Sequence, residues 1–210
     1  MPEPTTGAGF AHYLVIDFEA TCCDRGTVPR HAMEIIEFGA VMVDASDFPA
    51  NDFRIVDEFQ SFVRPVRHPA LTGFCTQLTS IAQADVDAAP SFPECIAAFE
   101  AWLSRHRDFA FCSWGDYDRT QLQQDCDFHR IANPITAPHR NIKRLFSERQ
   151  QRAKTYGLSG AVRAAGLRFA GTQHRGIDDA RNIARLLPFV FGDARLQANA
   201  AGHAAAGHAA

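Results

Sequence analysis

Short apolar runs punctuate this chain, and each ends in polar residues or turn formers. Tyr13-Leu14-Val15-Ile16 is apolar at every position, so it predicts a central strand buried on both faces, near residues 12–18. Further runs predict strands near 34–43 and 54–63, the latter ended by the proline-punctuated loop Arg64-Pro65-Val66-Arg67-His68-Pro69. Residues 109–113 predict a fourth strand, and a short fifth is expected near 138–142. Between and after these runs the apolar spacing becomes helical. It predicts an amphipathic helix from Pro93 to about Arg105 with Ser91 as its cap, another from Arg119 to Phe128, and others at about 142–152, 158–165 and 177–190. The last carries apolar residues at 180, 183, 184, 186 and 187 on one face. A three-stranded meander followed by alternating helices and strands predicts an α/β layered domain with a mixed sheet.

Acids stand where three of these elements begin or end. The first strand turns acidic at its C-terminal end, in Asp17-Phe18-Glu19. Residues two apart on a strand point to the same side, so Asp17 and Glu19 aim at one spot while Phe18 faces away. The fourth strand runs into Ser113-Trp114-Gly115-Asp116-Tyr117-Asp118. Here Asp116 suits a helix cap and Asp118 the first turn, where the helix dipole favours a negative charge; both could be caps and nothing more. His174 precedes the last predicted helix and Asp179 lies near its start. Alone, such a loop histidine reads more readily as merely solvated, and the other two fragments reverse that reading. Together, Asp17, Glu19, Asp118 and Asp179 make a carboxylate cluster that is costly unless a hard cation sits among them. That inventory suits two-metal phosphoryl transfer, with His174 as a base for activating water.

These fragments resemble the DEDDh exonucleases of the proofreading-exonuclease superfamily. The first motif has the form D-x-E, the second places an aspartate after an aromatic, and the third is H-x4-D. Asp17-Phe18-Glu19-Ala20-Thr21-Cys22, Glu34-Ile35-Ile36-Glu37-Phe38-Gly39-Ala40-Val41 and Phe74-Cys75-Thr76-Gln77-Leu78-Thr79-Ser80-Ile81 resemble the histone-mRNA 3′ exonuclease and KapD-like branch in particular. The resemblance runs from about residue 12 to 190. It implies the ribonuclease-H-like exonuclease fold, a central mixed five-stranded sheet flanked by helices. It also implies two Mg²⁺ or Mn²⁺ ions held by Asp17, Glu19, Asp118 and Asp179, and His174 as general base. The implied activity is 3′→5′ removal of nucleoside 5′-monophosphates from single-stranded RNA 3′ ends. The same motifs also serve DNA exonucleases, and a catalytically silent regulator is a further alternative. Thr21 and the backbone from Phe18 to Ala20 are expected at the terminal nucleotide, with Phe18 or Tyr117 packing against it. One departure is visible: Tyr117 precedes the second-motif aspartate where several relatives carry Trp, and Trp114 lies upstream.

Composition adds a distribution of charge. The net charge of −3 argues against a generic nucleic-acid coat. Residues 140–175, however, hold nine Lys or Arg against the single acid Glu148, whereas residues 1–139 hold nine basic and twenty acidic groups. With Lys143, Arg144 and Lys154 among them, this stretch is expected to form a cationic wall for a polyanion beside the acidic centre; a solvated helical surface is the alternative. The chain has 210 residues, 46% hydrophobic, enough for one core. The expected division is a flexible segment 1–9, a domain at 10–192 and a low-complexity Ala/Gly/His tail at 193–210. No run of about 18 apolar residues predicts a membrane span. The N-terminus lacks signal-peptide features, and the six cysteines show no C-x-x-C. A cytoplasmic location with reduced core thiols is the expectation.

Overall fold

The computed structural model describes residues 10–46 and 53–197. In chain order, the early elements are β1 (His12–Ala20), β2 (Ile35–Asp44), β3 (Arg54–Phe62), α1 (Gly73–Thr79), α2 (Gln83–Asp87) and α3 (Phe92–Leu103). They are followed by β4 (Phe109–Ser113), α4 (Tyr117–His129), β5 (His139–Asn141), α5 (Ile142–Arg149), α6 (Leu158–Ala164), α7 (Gly176–Ala184) and α8 (Leu187–Val190). The sheet has five strands in the order β3-β2-β1-β4-β5. The meander β1-β2-β3 is antiparallel, and β1, β4 and β5 are parallel, so the sheet is mixed. The chain leaves β1 toward one edge and returns on its other side. The carboxyl ends of β1 and β4 therefore flank the point where strand order switches, which is where open α/β sheets place their sites.

Strand parity divides β1 between two cores. Leu14, Ile16 and Phe18 face the layer of α3 and α4, where Phe99, Trp102, Leu122 and Cys126 pack with them. Tyr13 and Val15 face the layer of α5 to α8, with Phe146, Val162, Ala180 and Ile183. Asp17 and Glu19 continue this second row, so the acidic pair emerges on the α7 side of the sheet.

Helix α7 comes unusually close to that sheet. A Cβ built on Gly39 would lie 2.1 Å from the carbonyl carbon of Gly176, and one built on Gly176 would lie 2.7 Å from the carbonyl oxygen of Asp17. Gly39 pairs directly with Asp17 across β1 and β2. The two missing side chains thus let the first turn of α7 rest on the strand that carries the acids.

Several elements differ from expectation. The helix expected over 177–190 ends at Ala184 and restarts at Leu187. Pro188 has no N–H, and its ring would meet the carbonyl of Ala184 in a continuous helix. Helices α1 and α2 lie outside the elements that the apolar pattern predicts, because segments of seven and five residues are too short to display a clear period. Ser91 does head α3, and its backbone N–H and hydroxyl both donate to Glu94. Segment 1–9 and most of the expected tail, with His203 and His208, lie outside the described residues. The first tail residues rest at the end of α5: the Leu196 N–H donates to Gln150, whose side-chain amide donates to Ala194. Cys75, Cys95, Cys112 and Cys126 are buried thiols, and Cys22 packs in a small cluster with Cys75 and Ile81. Among the described residues no helix is long and apolar enough to cross a membrane.

Candidate active site

The site forms where β1, the β4–α4 turn and the start of α7 converge. Strand pairing between β1 and β4 stops at Val15 and Cys112, so the backbone of β1 beyond that point has no strand partner on its β4 side. Asp118, in the first turn of α4, takes that role. Its Oδ1 accepts the Phe18 N–H at 3.0 Å, which fixes a buried carboxylate beside Asp17 and Glu19. From the opposite layer, α7 delivers Asp179, whose Oδ2 accepts the His174 N–H at 3.0 Å. One ligand atom each from Glu19, His174 and Asp179 lie within 4.8 Å of one another. His174 itself is exposed and holds a left-handed backbone, φ 60°.

The electrostatics show what this gathering costs. Burial, and then the charges of Asp118, Asp179, Glu19 and Glu37, push the Asp17 carboxyl well above the usual range. Burial followed by Asp179 and Glu37 raises Glu19 to about 9. Burial raises Asp179 to about 7 against the opposing His174 N–H, and raises Asp118 to about 6 against the Phe18 N–H. Other buried acids nearby are differently served. Glu34 accepts the N–H groups of Val66, Arg67 and His68 at 2.7–2.8 Å. No described residue donates to the carboxylates of Asp17 or Glu19. Four carboxylates from three elements, β1, α4 and α7, mutually repelling and only partly hydrogen-bonded, form a set suited to divalent cations.

The neighbouring duplicates point elsewhere. Asp116 occupies the cap position of α4 but accepts from the Asn141 side chain at 2.8 Å rather than from its own helix. Asp178 accepts the Thr172 N–H and one Arg181 N–H, so it closes the loop before α7. Asp118 and Asp179 are the members of each pair that reach the cluster.

Among the expected nucleotide contacts, two are corrected. Phe18 is 4% exposed and its ring packs against Phe38, so its side chain belongs to the core and its N–H to Asp118. Thr21 is 2% exposed, and its hydroxyl oxygen accepts the Glu34 N–H. Ala20 is also buried, its carbonyl facing the Cys75 thiol. Tyr117 is half-buried beside the acids, with the Arg30 guanidinium 5.3 Å from its ring centre. Trp114 instead lies against Phe146 and donates to the Tyr156 carbonyl, so Tyr117 is the aromatic at the acids.

The basic stretch is also divided. Lys143 and Arg144 lie in the first turn of α5, directly after β5 and at the same sheet end as the acids. Arg144 and Lys154 are exposed, and Arg144 pairs with Glu148 at 3.7 Å. Arg140 lies over Phe10 and Arg149 reaches Asp193, both still exposed, whereas Arg175 turns inward to Glu37 and is not part of an open wall. Glu37 also belongs to the site, although the motifs do not single it out. Its signal is an acid inside the apolar run from Ile35 to Val43, at a position directly opposite Glu19.

This geometry matches a known family. A model described as "Exonuclease" matches residues 14–187. The chain belongs to the exonuclease family. It is 33% identical to human ERI1 exoribonuclease 2 over 84% of this chain and 28% of that protein. It thus spans less than a third of the length of the ERI1 exoribonuclease 2 relatives from human, Xenopus laevis and mouse. Among solved structures it is similar to the nuclease domain of 3′hExo, a DEDDh family member bound to rAMP. That likeness has a TM-score of 0.74 and 28% identity, and covers 90% of this chain and 97% of that one. It is similar also to a 3′-exonuclease solved in 3′-end specific recognition of a histone mRNA stem-loop. There the TM-score is 0.75 at 27% identity, over 90% of this chain and 66% of that one. The mixed five-stranded sheet flanked by helices is the fold these relatives share.

Proposed function

We propose that this exonuclease-family domain is a metal-dependent 3′→5′ exoribonuclease that removes nucleoside 5′-monophosphates from single-stranded RNA. The observation that carries the chemistry is the gathering of Asp17, Glu19, Asp118 and Asp179 where β1, α4 and α7 meet, close enough to act on one another's charge and with too few donors to satisfy them. These four residues would hold two Mg²⁺ or Mn²⁺ ions, which when bound supply Lewis acidity at the scissile phosphate and make water a better nucleophile at neutral pH.

The chain's own residues account for the remainder. His174 stands next to Glu19 and Asp179 and takes a proton from the attacking water. Its backbone bond to Asp179 fixes the imidazole relative to the carboxylates. The Tyr117 ring offers an apolar face to the terminal nucleotide, and Arg30 a guanidinium outside the basic stretch. Lys143, Arg144 and Lys154 engage the backbone of the incoming strand through its phosphates.

The choice of RNA over DNA is supported by relatives named as exoribonucleases and by the rAMP complex. The test is chromatographic release of products from single-stranded RNA and from matched DNA in Mg²⁺. Nucleoside 5′-monophosphates should appear, faster from RNA. Nucleoside 3′-monophosphates would reject the mechanism, and faster release from DNA would move the substrate to DNA.

A further inference from the structure

Glu37 is fully buried on β2, directly across the strand pair from Glu19. Both of its oxygens are occupied. Oε1 accepts from Gln60 Nε2 at 2.7 Å and from an Arg175 terminal nitrogen at 3.3 Å. Oε2 accepts from Arg175 Nε at 2.9 Å and from the Gly176 N–H at 3.1 Å. Four donors use the carboxylate's acceptor capacity, so Glu37 is not available as a fifth metal ligand. Two of its three partners are the residues that follow His174. Arg175 also lies over the Phe62 ring at 5.2 Å, which holds its guanidinium between β3 and β2.

His174 needs such an anchor. It is exposed and carries a left-handed backbone that costs free energy in a non-glycine residue. The bond from its N–H to Asp179 ties its backbone to α7. The residues just before it, Gly171 to Gln173, are exposed as well.

We propose that Glu37 is a positioning residue for the reaction. By gripping Arg175 and Gly176 it fixes the loop geometry that points the His174 imidazole at Glu19 and Asp179. The kinetic consequence rests on the exonuclease reading, and the structural one on the hydrogen bonds alone. Glu37→Gln keeps the shape but turns one oxygen into an amide that faces donors. Arg175→Ala removes the grip from the solvent side and leaves Glu37 bonded to Gln60 and Gly176.

A double-mutant cycle with His174→Ala separates positioning from general support of the fold. In the wild-type background either variant should lower kcat on RNA by about 10²-fold, the scale expected of a reacting group displaced by about 1 Å. RNA affinity by fluorescence anisotropy should stay the same. In the His174→Ala background the same variants should change the residual rate by less than about twofold, because the group they aim is gone. Equal losses in both backgrounds would overturn the proposal. A second readout needs no turnover. The His174 imidazole resonance of the full chain should move in Arg175→Ala, and in Glu37→Gln where that variant folds, even if RNA proves not to be cut. An unmoved resonance would overturn the proposal without touching the exonuclease reading, whereas a moved one with an inactive wild type would reject that reading alone.

Discussion

Asp116 and Asp118 sit two residues apart at one strand-to-helix turn, and their burial and hydrogen bonds agree with the motif in telling them apart. Asp118 is buried against the Phe18 N–H, while Asp116 is exposed and bonded to Asn141. Asp118→Asn should therefore reduce turnover on RNA by several orders of magnitude, and Asp116→Asn by less than about threefold, as surface substitutions usually do. Steady-state rates on one RNA decide this; equal losses would show that the wrong carboxylate has been assigned. The four acids and the histidine are legible in the sequence because strand parity and motif spacing locate them without tertiary information. Glu37 is not, since nothing in a single strand says that a buried acid will meet Arg175 from 138 residues away. Parity already turns Phe18 away from the acids, whereas the role of Thr21 escapes the sequence, because its hydroxyl oxygen is taken up by the Glu34 N–H.

At the scale of elements, the close seat of α7 on β1 and β2 governs where Asp179 ends up. Gly39→Ala would place a methyl group 2.1 Å from the Gly176 backbone, where no flexible side chain can yield. The variant should lose about 3 kcal/mol of stability by overpacking, read as a fall in denaturation midpoint, and activity should fall further than stability because α7 carries Asp179. A variant with wild-type midpoint and rate would mean that the helix can slide at no cost. Strands are the most legible elements here, since β1, β2 and β4 carry apolar runs that fix both position and burial. Helix ends are harder. The proline that splits α7 from α8 is visible in the sequence, but the apolar face continues across it through Leu186 and Leu187, and that periodicity conceals the break.

For the whole molecule, charge sets both stability and binding. Glu19, Asp179 and Asp118 are raised to about 9, 7 and 6 in the folded chain, against about 4 for such groups when unfolded. Between those values the folded state holds protons that the unfolded state releases, so in chelator stability should fall as pH rises from about 5 to about 8. Mg²⁺ favours the ionised cluster and should raise the melting temperature more at the higher pH. An equal Mg²⁺ gain at both pH values would remove the cluster as its binding site. The basic stretch makes a separate prediction. Reversing the charges of Lys143, Arg144 and Lys154 should weaken RNA binding and flatten its salt dependence, by about 0.7 in slope for each single-strand phosphate no longer neutralised. An unchanged slope would place those side chains away from the RNA. The number of cations is plain in the sequence, but their directions are not, as the inward-turned Arg175 shows. Metal-dependent attack at the 3′ end is tested most directly with a 5′-labelled single-stranded RNA, incubated with metal-stripped protein before and after Mg²⁺ is added. No cleavage is expected in chelator, then a ladder shortened one nucleotide at a time from the 3′ end, blocked when that end carries a phosphate. Cleavage in chelator, internal cuts, or shortening from the 5′ end would contradict it.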